Sequence, residues 1–233
     1  MSGSEEWAKA TTEGAKLATT VVEKVSNIPG FIAKYIDESL MELAGKWVDN
    51  KKFNRWENQV KILDKVNTIL DERGCKNLRM IPPKLGIPLI DNALLEDDDD
   101  LREIWCKLIA NSLDPNFNKE IRSAFIDILK DLTSLDAKIL KYIYENLPDK
   151  TNLHKITDYN ENKVNTYEII KNVNAQESDV YVSLINLRRV QCIWNYDSLS
   201  KNEITKTATY VFNRGENYTL TPLGCSLVEA CMK

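Results

Sequence analysis

Apolar and polar positions alternate with helical period along most of the chain. Leu101, Ile104, Trp105, Leu108, Ile109 and Leu113 recur at the three-and-four spacing that gathers side chains on one face of a helix. The spacing predicts a helix over 98–113, stopped by Asp114-Pro115. A helix over about 122–131 follows. Thr133-Ser134-Leu135-Asp136 then has the form of a capping box, with Ile139, Leu140, Ile143 and Leu147 as the apolar stripe behind it. Upstream, Trp7, Ala10, Leu17, Val21, Val25 and Ile28 share a face over 5–28, and Pro29-Gly30 ends that helix. Further helices are predicted over 31–49 (Ile36, Leu40, Leu43, Trp47) and 52–73 (Trp56, Ile62, Leu63, Val66, Ile69, Leu70), with Gly74 as the C′ residue. Residues 75–81 read as a connector or short edge strand. Pro82-Pro83 opens a helix through about Leu95, in which Pro88 predicts a kink or an early stop.

The pattern changes after Pro148. Residues 149–163 are polar and loop-like, and helices are predicted over about 164–173 and 176–189. Val190–Tyr196 and Lys206–Phe212 read as strands and Tyr218–Thr221 as the end of the second or a third, with Asn213-Arg214-Gly215 as turn chemistry. Thr221 caps a last helix, 223–232, with Pro222 at its first position. Counting the helix after Thr133, the order is helix, helix, helix, strand, strand, helix, which fits a winged helix-turn-helix. The expected architecture is therefore mainly α. It comprises N-terminal amphipathic helices (1–50), a helical core domain (51–132) and a winged-helix-like domain with a small β-hairpin (133–233).

Composition narrows the functional classes. The 233 residues carry 43% hydrophobic and 28% charged side chains, enough for one or two ordinary globular domains. The formal net charge is −4, and the segment 151–233 holds 9 basic and 9 acidic residues, so no dedicated nucleic-acid or anionic-membrane binder is indicated. The five cysteines, Cys75, Cys106, Cys192, Cys225 and Cys231, show no CxxC spacing and read as free thiols in a reducing compartment. The acidic start MSGSEEWAKA lacks an apolar signal-peptide core, and no run approaches the ~20 apolar residues of a spanning helix; a cytoplasmic protein is expected.

Candidate chemistry is sparse. The run Glu96–Asp100 invites a Mg²⁺ or Ca²⁺ reading, but it lacks the glycine and distal glutamate of a calcium loop. Acidic residues at the start of a helix serve the free N–H groups and the macrodipole, which is the simpler account. His154, the sole histidine, sits in a polar loop beside Lys155 with no nearby cysteine. A catalytic triad or zinc site would need it, and a solvated loop histidine is the expectation. Gly-rich phosphate loops, HExxH and GxSxG are absent from the sequence. Neither catalytic residues, a cofactor nor a metal is expected.

The helix over 176–189 offers a surface instead. With Val180, Leu184 and Leu187 inward, Ser178, Val182, Ile185, Asn186 and Arg189 point outward and form the candidate interaction face. A DNA-reading helix meets the groove with its first residues, and here these include Glu177 and Asp179, with only Arg188 and Arg189 cationic at the far end. Protein contact, with a partner or with a second copy, or use as a structural cap is favoured over nucleic acid. A DNA regulator would draw on Arg188, Arg189, Lys201, Lys206 and Arg214. The helices within 5–49 leave a membrane-surface role open, although their polar faces mix both signs.

Four segments resemble the Abi-alpha family, the abortive-infection alpha-helical proteins of bacterial phage defence. They are Arg55–Gly74, Ile81–Pro115 with its PPK, LEDD and LW-x-x-L-x-A-N cadence, Phe125–Leu140, and Tyr218–Cys231. Within the second, Ile104 stands where the cadence has Leu, and Cys106 where Ala is frequent. The resemblance spans about residues 50–233. It implies a defence role that limits phage propagation, with no catalytic residue to carry over. Three readings follow: a non-enzymatic defence protein acting by protein contact, a winged-helix DNA regulator, and a membrane-perturbing effector.

Overall fold

A computed structural model describes residues 50–148, 162–195 and 215–233. The predicted helices at 5–28 and 31–49, His154 and the strand at 206–212 lie outside the described residues, as do Lys201, Lys206 and Arg214. The described residues form eight helices and a three-stranded antiparallel sheet near the C-terminus. None of these helices is long and apolar enough to cross a membrane. The chain divides into two compact units between Ile126 and Asp127.

The first unit is helical. Its described elements are α1 (Asn50–Glu72), α2 (Pro83–Ala93), α3 (Asp99–Leu113) and the start of α4 (Ser123–Lys130). Helix α3 is the centre, with α1 and α2 both packed on it. Ile62, Val66 and Leu70 of α1 and Leu89 and Ile90 of α2 are buried with Leu101, Trp105, Leu108 and Leu113 of α3. Each such side chain contributes roughly 1.5–3 kcal/mol of burial. Both boundaries of α1–α3 that the sequence marks most clearly are chemically explicit. Gly74 takes φ 66, its N–H donates to Asp71 O, and Cys75 N–H donates to Leu70 O, the two bonds of a Schellman end. Asp98 accepts from Leu101 N–H at the start of α3.

Two open expectations resolve here. Residues 75–81 form no strand; they run as an irregular connector in which Arg79 N–H donates to Leu113 O at 2.7 Å. Helix α2 does not stop at Pro88 but continues to Ala93. The missing proline N–H falls one turn into the helix, opposite the carbonyl of exposed Lys84, where its loss costs least.

The second unit takes in the rest of α4, then α5 (Ser134–Asn146), β1 (Val164–Asn165), α6 (Thr166–Val173), α7 (Glu177–Arg189), β2 (Ile193–Asn195), β3 (Asn217–Leu220) and α8 (Pro222–Cys231). Helix α5 is central, touching α6, α7, α8 and β3. Its capping box is as the sequence predicts: Thr133 N–H donates to Asp136 Oδ2 at 2.7 Å and Asp136 N–H to Thr133 Oγ1 at 3.2 Å. The sheet order is β1-β3-β2, with Val164 opposite Tyr218 and Trp194 opposite Thr219. Strand β1 replaces the first residues of the helix expected at 164–173. Asn165 is extended (φ −81, ψ 144) because its side chain caps α6 by accepting from Tyr167 N–H.

The strand expected from Val190 starts only at Ile193, because Gln191 adopts φ 59 and turns the chain after α7. That turn is locked to α8. Thr221 Oγ1 donates to Gln191 O at 2.6 Å and accepts from Gly224 N–H, while Thr221 N–H donates to Cys192 O. Gly224 lies so close to the Cys192 backbone that a Cβ there would overlap the carbonyl.

Candidate functional site

Helix α7 is held by its inner face. Val180, Leu184 and Leu187 are fully buried, and Ser183 joins them. Its first turn carries Glu177 and Asp179 and its last turn Arg188 and Arg189, both matched to the helix dipole. The outer face carries two large apolar side chains in water: Val182 is 66% and Ile185 47% exposed. They are one turn apart, and covering the part of each still exposed would release roughly 1–2 kcal/mol apiece. Ser178 is exposed and its hydroxyl lies 3.4 Å from Asp179 Oδ1.

The remaining two residues of the predicted face have internal partners. Asn186 is half-buried, and its amide donates to Asp131 O at 2.7 Å and to Asp136 Oδ2 at 2.9 Å. Its carbonyl accepts from Arg189 Nε and Nη2, and Arg189 Nη2 also reaches Asp131 Oδ2 at 2.9 Å. The group ties α7 to the capped start of α5 and satisfies the buried Asp136 carboxylate. A helical wheel places Asn186 and Arg189 outward but cannot show partners 50 and more positions away in sequence. What stays presented to solvent is an apolar pair, Val182 and Ile185, flanked by Ser178 and by an Arg189 head whose orientation is fixed.

The acidic run has a structural use. Asp98 caps α3, Glu96 accepts from Asp98 N–H and from the Trp105 indole at 3.3 Å, and Asp99 pairs with Arg102. Among the described residues, no group of three or more His, Cys, Asp or Glu side chains is placed to hold a metal ion.

A second polar cluster, which the sequence reading did not pick out, closes the far end of α3. Arg79 donates to the carbonyls of Asn111 and Ser112, and Arg73 to Asn111 Oδ1 at 2.6 Å and Asp114 Oδ2 at 3.4 Å. Burial works to raise the Asp114 pKa, but hydrogen bonds from Asn116 N–H and Cys75 and the Arg73 charge bring it below the usual carboxylate value. Burial and the same carboxylate push the Cys75 thiol up, so it is a weaker nucleophile than an ordinary cysteine. All five cysteines are free, and Cys106 and Cys192 are held as thiols by burial, each pushed up to about 12.

The sequence matches the family model described as Abortive infection alpha over residues 25–231. No curated protein and no solved structure matches it.

Proposed function

The chain belongs to the abortive infection alpha family, which implies a phage-defence role, and we propose that it fills this role without catalysis, through protein contacts made by the outer face of α7. The observation that carries the reading is the pair Val182 and Ile185, left in water on a helix whose opposite face is fully buried. An otherwise well-packed unit gains nothing from these two positions on its own, whereas a partner would dehydrate them.

The second unit is read as winged-helix-like in this proposal. The order α5, α6, α7, β2, β3 supports that, as does β1 closing the sheet beside β3. A DNA-reading use of α7 is less well supported. Glu177 and Asp179 occupy the first turn, and Arg189 is engaged by Asp131. The membrane reading rests on residues 5–49, which lie outside the described residues.

The test is a phage challenge of bacteria expressing the full chain or the variant Val182→Glu/Ile185→Glu. Loss of protection by a variant that still folds supports contact through α7. Full protection by that variant removes α7 from the mechanism.

A further inference from the structure

The outer side of α7 is complementary to itself. Along its 13 residues it runs from exposed Asp179 in the acidic first turn through an apolar middle (Val182, Ile185) to exposed Arg189 in the basic last turn. Such a surface matches a copy of itself only when the copy runs the other way; a parallel copy would set acid on acid and base on base. Resting on the reading of this face as a contact surface, we propose that the partner is a second copy of this chain, with the two α7 helices packed antiparallel about a two-fold axis passing between Ser183 and Leu184.

That axis follows from setting the two exposed apolar residues against each other. It sets Val182 against the partner's Ile185 and Ser178 against the partner's Arg189. It brings Asp179 within a turn of the partner's Arg189. Every contact occurs twice, as an isologous interface requires. The antiparallel helix dipoles add to the match. Arg189 is already held by Asn186 and Asp131, so placing its guanidinium against a second copy costs little further side-chain freedom. The apolar centre is small beside the roughly 800 Å² per partner of a standard interface, so the pair is a weak, concentration-dependent dimer in which the charges choose the register.

Sedimentation equilibrium of the full chain tests this. Asp179→Lys and Arg189→Glu, taken singly, each turn two facing pairs into repulsions and are expected to weaken self-association about tenfold. An equimolar mixture of the two single variants regains opposite charges at both facing pairs, so it associates more tightly than either variant alone. The double variant Asp179→Lys/Arg189→Glu likewise associates more tightly than either single variant, although it loses the Asp131 tie. Helix-dipole effects alone would make the double variant the worst of the set. Circular dichroism checks folding; if a charge variant fails to fold, Ile185→Glu at the exposed apolar centre replaces it and is expected to abolish association.

A wild-type chain that stays monomeric at every concentration reached overturns the proposal, as does association indifferent to these changes or a mixture no tighter than its components. If the monomeric chain nevertheless loses protection through Val182→Glu/Ile185→Glu, the second-copy assignment falls and contact with another protein stands. If the dimer behaves as expected while that variant protects fully, the defence reading of the face falls instead.

Discussion

Asn186 on α7 donates to the carboxylate of Asp136, the residue that closes the capping box of α5, at 2.9 Å. One amide therefore joins the exposed helix of the second unit to the start of its central helix. The same amide group orients Arg189, so the outer face of α7 is held in place from behind. Its apolar pair needs no rearrangement to meet a partner.

Asn186 and Arg189 are expected to differ sharply on substitution. Asn186→Ala leaves Asp136, only 1% exposed, short of a donor and is expected to cost about 1–3 kcal/mol. Arg189→Ala breaks a pair whose side chains are 57% and 47% exposed and costs about 0–1 kcal/mol. Urea unfolding of the two variants with unchanged m-values checks the order. Equal costs would show that the amide is not the main tie.

Two glycines should fail for different reasons. Gly74→Ala meets open space but must hold φ 66, which costs about 1 kcal/mol. Gly224→Ala meets the Cys192 backbone and forces α8 away from the turn after α7, at roughly 3 kcal/mol or more. Thermal melts should separate the pair, with Gly224→Ala unfolded or strongly destabilised.

Stability is expected to fall on the alkaline side. Cys106 and Cys192 move from the ordinary 9.0 to about 12 in the folded chain. The unfolded chain therefore sheds these protons first as pH rises. The stabilisation is fully present below pH 9.0 and is lost progressively between there and about 12. Denaturant midpoints measured from pH 8 upward check this, and Cys106→Ala/Cys192→Ala should flatten the profile.

Local chemistry was legible in the sequence. Thr133 with Asp136, Asp98 ahead of α3, Gly74 after α1 and Thr221-Pro222 before α8 each sit within a few positions of the groups they serve. The buried positions of α7 follow from spacing alone. What escaped depends on distant partners. Strand β1 is two residues long and exists because Val164 meets Tyr218 on β3. Asn186 looks like surface until Asp131 and Asp136 are brought to it. The cluster of Arg73, Arg79, Asn111 and Asp114 joins segments over 30 positions apart and has no sequence signature. Only the positions of the candidate face were legible in this way; its use is a proposal.

The most direct measurement of the central claim is the plating efficiency of phage on cells carrying wild type or Val182→Glu/Ile185→Glu, read beside the melting temperature of each purified protein. Both positions are exposed, so stability should stay within about 0.5 kcal/mol of wild type. Protection is expected to be lost while the melting temperature holds. Protection equal to wild type with both glutamates in place would contradict it.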